Sequence, residues 1–421
     1  MRTLIQAGTL ITARADDPVR HNQGILIGQG VIQTVDDWAH FSPDAEMTLV
    51  DATALTVMPG LIDAHTHVVH SGEPDEDWRL IALTELPATT ALKAARHARR
   101  HVERGVTTIR DLGAWAWIDI ALRDAIDAGW HVGPRILAAG HGITATGGHM
   151  DASKYALPGI SNEMINSIGA VADSPDEARR AAWAQLMRGA DLIKINATLS
   201  EYVRAAGGQC SPELTFDAMQ TVCDVAHSTG RKVAAHCHGG PGVQAALDAG
   251  VDTFEHGRFL TEELLDQMAM RQRFLVPTLS PEARRVQMGE TPIDPALVRW
   301  MDMATEAMYD TVDRAHARGV AIVAGTDAGM PHVRHGELAF EMIHLAHAGL
   351  SNLAVIESAT SVAAAALGID DVVGRVASGY VADLILIEGN PLDDLTVLMK
   401  PDCIKSVIQG GRIANQTPAE S

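Results

Sequence analysis

Between residues 57 and 368 short apolar runs alternate with longer stretches in which apolar positions recur every three to four residues. The runs are VMPGLIDAHTHV (57–68), TTIRDLG (107–113), RILAAG (135–140), LIKIN (192–196), KVAAHCHG (232–239), TFEHG (253–257), FLVPTLS (274–280) and AIVAGTDAG (321–329). Helical periodicity marks Ala88 to Arg104, Pro175 to Arg188, Pro212 to Thr229, Pro295 to Arg318 and Asn352 to Leu367. A buried strand followed by an amphipathic helix is a βα unit, and eight in series predict a closed parallel barrel. Gly140 to Pro175 carries few helical signals and predicts an extended loop over the barrel mouth.

The two ends of the chain have a different texture. Thr3 to Gln6, Leu10 to Thr12, Gly24 to Ile27, Val31 to Val35 and Leu49 to Ala54 read as short strands separated by Gly and Asp turns. VADLILIEG and IKSVIQGGRI repeat that pattern near the C-terminus. The expectation is an α/β fold, a (β/α)8 TIM barrel over 58–368, with a small composite β-sandwich built from 1–57 and 369–421.

Charge narrows the partners. Of 421 residues, 53 are acidic and 33 basic, a formal net charge of −20, which disfavours nucleic acid and anionic lipid. No stretch has the ~18 consecutive apolar residues of a membrane span, and the N-terminus lacks the unbroken apolar core of a signal peptide. Cys210, Cys223, Cys237 and Cys403 form no close pair, which fits reduced thiols and a cytoplasmic location.

In such barrels chemistry sits at the C-terminal ends of the strands. Those ends carry His65 and His67, Lys194, His236 and His238, Glu255 and His256, and Thr326 and Asp327. Strand side chains alternate, so His65 and His67 share the inward face, as do His236 and His238, and Cys237 between them faces out. A single His-x-His pair is common by chance. Ligand-type residues recurring on strand after strand predict a metal centre. Lys194 is the odd member, since an ammonium has no lone pair. Arg110 and Asp111 suit supporting positions behind the centre, and Trp115 and Trp117 suit either a pocket wall or burial against a loop.

At PGLIDAHTH (59–67), DLIKI (191–195), AAHCHG (234–239), FEHG (254–257) and AGTDAG (324–329) the chain resembles the amidohydrolase superfamily. The likeness is to the subgroup of imidazolonepropionases, bacterial Xaa-Pro and Xaa-Arg dipeptidases and ochratoxin amidohydrolases. It implies two divalent metal ions on His65, His67, Lys194, His236, His256 and Asp327, with Lys194 converted by CO2 to N6-carboxylysine. Imidazole and carboxylate donors suit zinc. The metals would share a hydroxide that attacks an amide carbonyl, with Asp327 passing its proton to the leaving amine and His238 binding the substrate. TGGHMD (146–151) resembles a substrate loop of the peptidase-like members, which implies substrate contacts at His149, as does His335 in HVRHG.

The expected activity is hydrolysis of an amide next to a substrate carboxylate, in a dipeptide-like or N-acyl amino acid substrate. The alternatives are hydrolysis of a cyclic amide, urea or carbamate, and a non-catalytic barrel scaffold. Relatives of this kind form homo-oligomers, often octamers.

Overall fold

The computed structural model describes residues 2–74, 76–199, 211–289 and 295–414. The N-terminal strands are β1 (Arg2–Ile11), β2 (Val19–Gly28), β3 (Val31–Asp37) and β4 (Met47–Pro59). The two short runs predicted at Thr3 and Leu10 are one strand. Gly8 sits where its pairing with β4 shifts register, and a Cβ there would lie 2.0 Å from the Thr53 carbonyl oxygen, so only glycine lets the strand run on.

The barrel follows as β5 (Leu61–Thr66), β6 (Val106–Asp111) and β7 (Arg135–Ala138). Two short strands come next, β8 (Gly142–Thr144) and β9 (Gly169–Val171). The circuit resumes with β10 (Leu192–Asn196), β11 (Lys232–Gly239), β12 (Thr253–Phe259), β13 (Phe274–Val276) and β14 (Ala321–Ile322). Neighbours pair in parallel from β5 to β7 and from β10 to β14. The Asp191 N–H donates to the Ala138 carbonyl at 2.8 Å across one gap. The other closes where the Ala64 N–H meets the Ala324 carbonyl at 3.1 Å and Asp327 donates to His65 at 2.8 Å. The long segment after β7 is built around β8 and β9, which pair with each other, and β8 pairs in turn with β10.

The chain returns through β15 (Leu384–Ile387), β16 (Ile404–Gln409) and β17 (Arg412–Ile413). These join the first four strands in one seven-stranded sheet, ordered β17-β16-β15-β4-β1-β2-β3. The alternation along β15 is apolar on both faces because both are covered. Leu384 and Leu386 pack with Ile5, Ile25 and Val57, whereas Ile385 and Ile387 join the large core of the barrel and its helices.

One predicted helix is two. Asn352–Ser358 and Ser361–Leu367 are separated at Thr360, with φ −139° and ψ −96°. The Ser358 and Ala359 carbonyls leave the helical pattern to accept the backbone N–H groups of Ala324 and Ile62. Sequence periodicity does not register that diversion. The stretch from Pro212 becomes helical at Phe216, where the Thr215 side chain caps the Ala218 N–H.

Candidate metal centre

A cavity of ≈160 Å³ lies at the C-terminal end of the barrel, with His65, His67, Lys194, His236, His256 and Asp327 all in its wall. His149, His238 and Arg258 line it too. His65 stands at the end of β5 and His67 just beyond, both facing inward as alternation requires. Each directs Nε2 at Asp327 Oδ1, at 3.5 Å in both cases. Two donors bound tetrahedrally to one ion at about 2.1 Å lie ~3.4 Å apart, so this spacing suits a shared metal. The ligand atoms of His65, His256 and Asp327 lie within 4.8 Å of one another.

The far side of three of the imidazoles is held. His65 Nδ1 meets Glu255 Oε2 at 2.9 Å, His67 Nδ1 the Gly113 carbonyl at 3.2 Å, and His256 Nδ1 the Thr278 hydroxyl at 2.6 Å. Such contacts fix which nitrogen faces a metal. His236 Nε2 is buried with no hydrogen-bond partner among the described residues, as a nitrogen reserved for a metal would be. Burial holds His65, His236 and His256 well below the usual imidazole range and His67 at about 3, so all four are neutral and keep a lone pair. Burial also lowers the Lys194 ammonium to about 8. The donor set therefore fits divalent cations of the zinc kind.

Backbone strain contributes. By alternation Glu255 faces the interior and His256 would turn away. His256 instead has φ +71°, which swings its ring to the cavity, and Asp327 has φ +59°. Left-handed backbone costs a non-glycine residue ~1–2 kcal/mol. Gly329, at φ +106°, supports the Asp327 turn, where a Cβ would come 2.6 Å from the His67 carbonyl oxygen.

Behind the ligands, Arg110 donates to Glu255 Oε1 at 2.8 Å and to the Ala64 carbonyl at 2.6 Å, which ties β6 to β12 and orients His65 through Glu255. Asp111 accepts the Val68 N–H at 2.6 Å. Asp63 accepts the Thr326 N–H and hydroxyl at 2.9 and 2.6 Å, which fixes the strand end carrying Asp327. Cys237 is buried and absent from the cavity wall. Cys210 lies outside the described residues.

The His149 ring stacks on His236 with centroids 3.9 Å apart, and Glu213 holds its loop through the Ala145 and His149 N–H groups. His335 is placed elsewhere. Its Nε2 meets the His70 carbonyl at 2.8 Å, its Nδ1 meets His101 Nε2 at 3.1 Å, and it does not line the cavity. Trp115 packs on His70 and the Trp117 indole N–H donates to Gln185 at 2.8 Å, both away from the cavity wall. Sequence reading passed over Arg258, Glu282 and Glu213. Only Arg258, two residues beyond His256, carried a positional signal.

A barrel with histidines, a lysine and an aspartate converging at its strand ends defines the class of metal-dependent hydrolases. The amidohydrolase family profile matches residues 56–414, and the chain belongs to that family. Its relatives include ochratoxinase of Aspergillus niger, 29% identical over alignments covering 98% of this chain and 86% of that one. A solved Xaa-Pro dipeptidase with methionine bound in its active site is 32% identical, with TM-score 0.87 over 98% of this chain and 99% of the other. The A. niger ochratoxinase structure gives TM-score 0.87 at 26% identity, covering 99% and 96%. The protein is a hydrolase acting on C–N bonds. Among the described residues no helix is long and apolar enough to cross a membrane.

Proposed function

We propose that the chain is a binuclear-metal amidohydrolase cleaving an amide bond next to a substrate carboxylate, as a dipeptidase, carboxypeptidase or N-acyl amino acid amidase. The observation that carries this reading is the convergence of His65 and His67 on Asp327 at 3.5 Å, in a cavity whose wall also holds Lys194, His236 and His256. Its likeness to ochratoxinase and to the Xaa-Pro dipeptidase supports the choice of substrate. Bound divalent cations would supply Lewis acidity toward a carbonyl and a lowered pKa for water. His65, His67, His236, His256 and Asp327 would hold them, with Lys194 contributing a carboxylate after its neutral amine adds to CO2 and loses a proton.

The chain's own groups account for proton transfer and orientation. The Asp327 carboxylate takes the proton released by the attacking water and gives it to the leaving nitrogen, without which an amide nitrogen leaves poorly. His238 and His149, whose rings both pack against His236, donate hydrogen bonds to the substrate. Elemental analysis should find about two zinc-like ions per chain, and a library of dipeptides and N-acyl amino acids, read by released amine, should contain substrates. Full activity without a transition metal would overturn the metal assignment. Turnover confined to cyclic amides or ureas would transfer the site to the alternative chemistry.

A further inference from the structure

We propose that Glu213 is a positioning residue for the reaction, setting the His149 ring against the metal-facing His236. The proposal rests on the reading above, in which His149 meets the substrate, and it names what aims that ring. Glu213 follows β10, the strand of Lys194, and its own N–H donates to the Ala197 carbonyl at 3.0 Å, three residues beyond that lysine. The carboxylate is therefore seated on the barrel, whereas His149 belongs to the loop between β8 and β9.

Three donors at that end of the barrel converge on the carboxylate. The Thr144 hydroxyl and the Ala145 N–H donate to Oε1 at 2.5 and 3.1 Å, and the His149 N–H donates to Oε2 at 2.9 Å. The peptide unit joining Gly148 to His149 is held at its other end too, since the Lys154 ammonium donates to the Gly148 carbonyl at 2.6 Å. A peptide unit is planar, so holding its N–H and its carbonyl together fixes the plane that ends at the His149 Cα. A Cβ on Gly148 would lie 2.2 Å from Glu213 Oε1, so the residue before His149 has to be glycine for the carboxylate to stay in place. The ring that leaves this plane stacks on His236 with centroids 3.9 Å and planes 14° apart. Met150, next along the loop, donates its N–H to the same Thr144 hydroxyl at 3.2 Å and also lines the cavity.

The test is a double-mutant cycle on the metal-loaded full chain, with Glu213→Ala, His149→Ala and the double variant assayed on a dipeptide or N-acyl amino acid that wild type hydrolyses. Each single variant should lose about 10- to 10²-fold in kcat/KM at unchanged metal content, the scale of a small misplacement at a reacting site. The double variant should be no worse than His149→Ala, because residues that act through one another are not additive. Glu213→Gln, which keeps one acceptor oxygen, should fall between wild type and Glu213→Ala, and it takes the place of Glu213→Ala in the cycle if that variant does not fold. Additive losses overturn the proposal, since a residue that only stabilised the barrel would cost the same with or without His149. Wild-type kcat/KM in either single variant overturns it as well, as does loss of metal from Glu213→Ala. Hydrogen exchange gives a readout without turnover. The segment 144–150 should exchange faster in Glu213→Ala than in wild type, and equal rates would refute the clamp. If wild type hydrolyses no dipeptide or N-acyl amino acid, the parent reading falls by itself. The cycle is then run on the cyclic amide or urea that it does turn over, and with no substrate at all the exchange rates decide Glu213.

Discussion

Within the single motif His236-Cys237-His238, three neighbouring side chains have three environments. His236 presents to the cavity a buried nitrogen with no hydrogen-bond partner among the described residues, His238 lines the cavity, and the Cys237 thiol meets the Glu255 carbonyl at 3.4 Å between strands. His236→Ala should lose metal and turnover together, because removing a ligand opens the site. His238→Ala should keep its metal and lose ~10²–10⁴ in rate, the range for a positioned acid, base or hydrogen-bond donor. Cys237→Ala should turn over at close to the wild-type rate. Metal content and kcat on the three variants check this, and metal loss from His238→Ala with retention in His236→Ala would reverse the assignment. Lys194→Ala should be inactive, with partial recovery from a short carboxylic acid plus metal. Wild-type turnover in that variant would remove Lys194 from the site.

Among the elements, the helix Ser280–Met288 has the greatest leverage on the cavity, because it carries Glu282. It has no side-chain cap of its own. Glu341, from the helix Leu338–His347, accepts the Leu279 and Ser280 N–H groups at 2.8 and 2.7 Å and the Ser280 hydroxyl at 2.6 Å. Burial pushes the Glu341 carboxyl up to about 8 from an ordinary 4.5. A carboxyl whose pKa rises on folding stabilises the fold below its unfolded pKa, and that contribution is lost as pH climbs through the folded value. Glu341→Gln should therefore be less stable than wild type by ~1–3 kcal/mol near pH 5, since its amide must face an N–H with a donor. The gap should narrow toward pH 8, by at most ~1.4 kcal/mol per pH unit. Denaturant melts of both proteins across that range check it, and parallel curves would refute the linkage.

Over the whole molecule, the terminal sheet and the barrel meet along β4 and β15, whose side chains alternate between two cores. Leu384 belongs to the core of the sheet and Ile385 to that of the barrel, yet they are adjacent on one strand. Cutting either to alanine should cost ~2–5 kcal/mol, and scanning calorimetry should record one transition that moves as a unit. Two separated transitions, with Leu384→Ala displacing only one, would mean that the strand does not couple them.

Sequence pattern alone carried the recurrence of strand and helix, because each barrel strand is buried on both faces and each helix on one, and these leave distinct periods. It also brought His65 with His67, and His236 with His238, to common faces, since residues two apart on a strand share a side. Other placements needed the folded chain. The ring of His256 reaches the cavity only through a left-handed backbone that strand alternation argues against, and the Thr278 hydroxyl holds it there. Arg258 finds Glu282 because β12 and the helix after β13 are adjacent around the barrel. His335 shows the converse, a histidine in a suggestive motif whose nitrogens are taken up by His70 and His101. Local periodicity is written in hydrophobicity along the chain, whereas these contacts join residues far apart in sequence, and only closure of the barrel determines which of them meet.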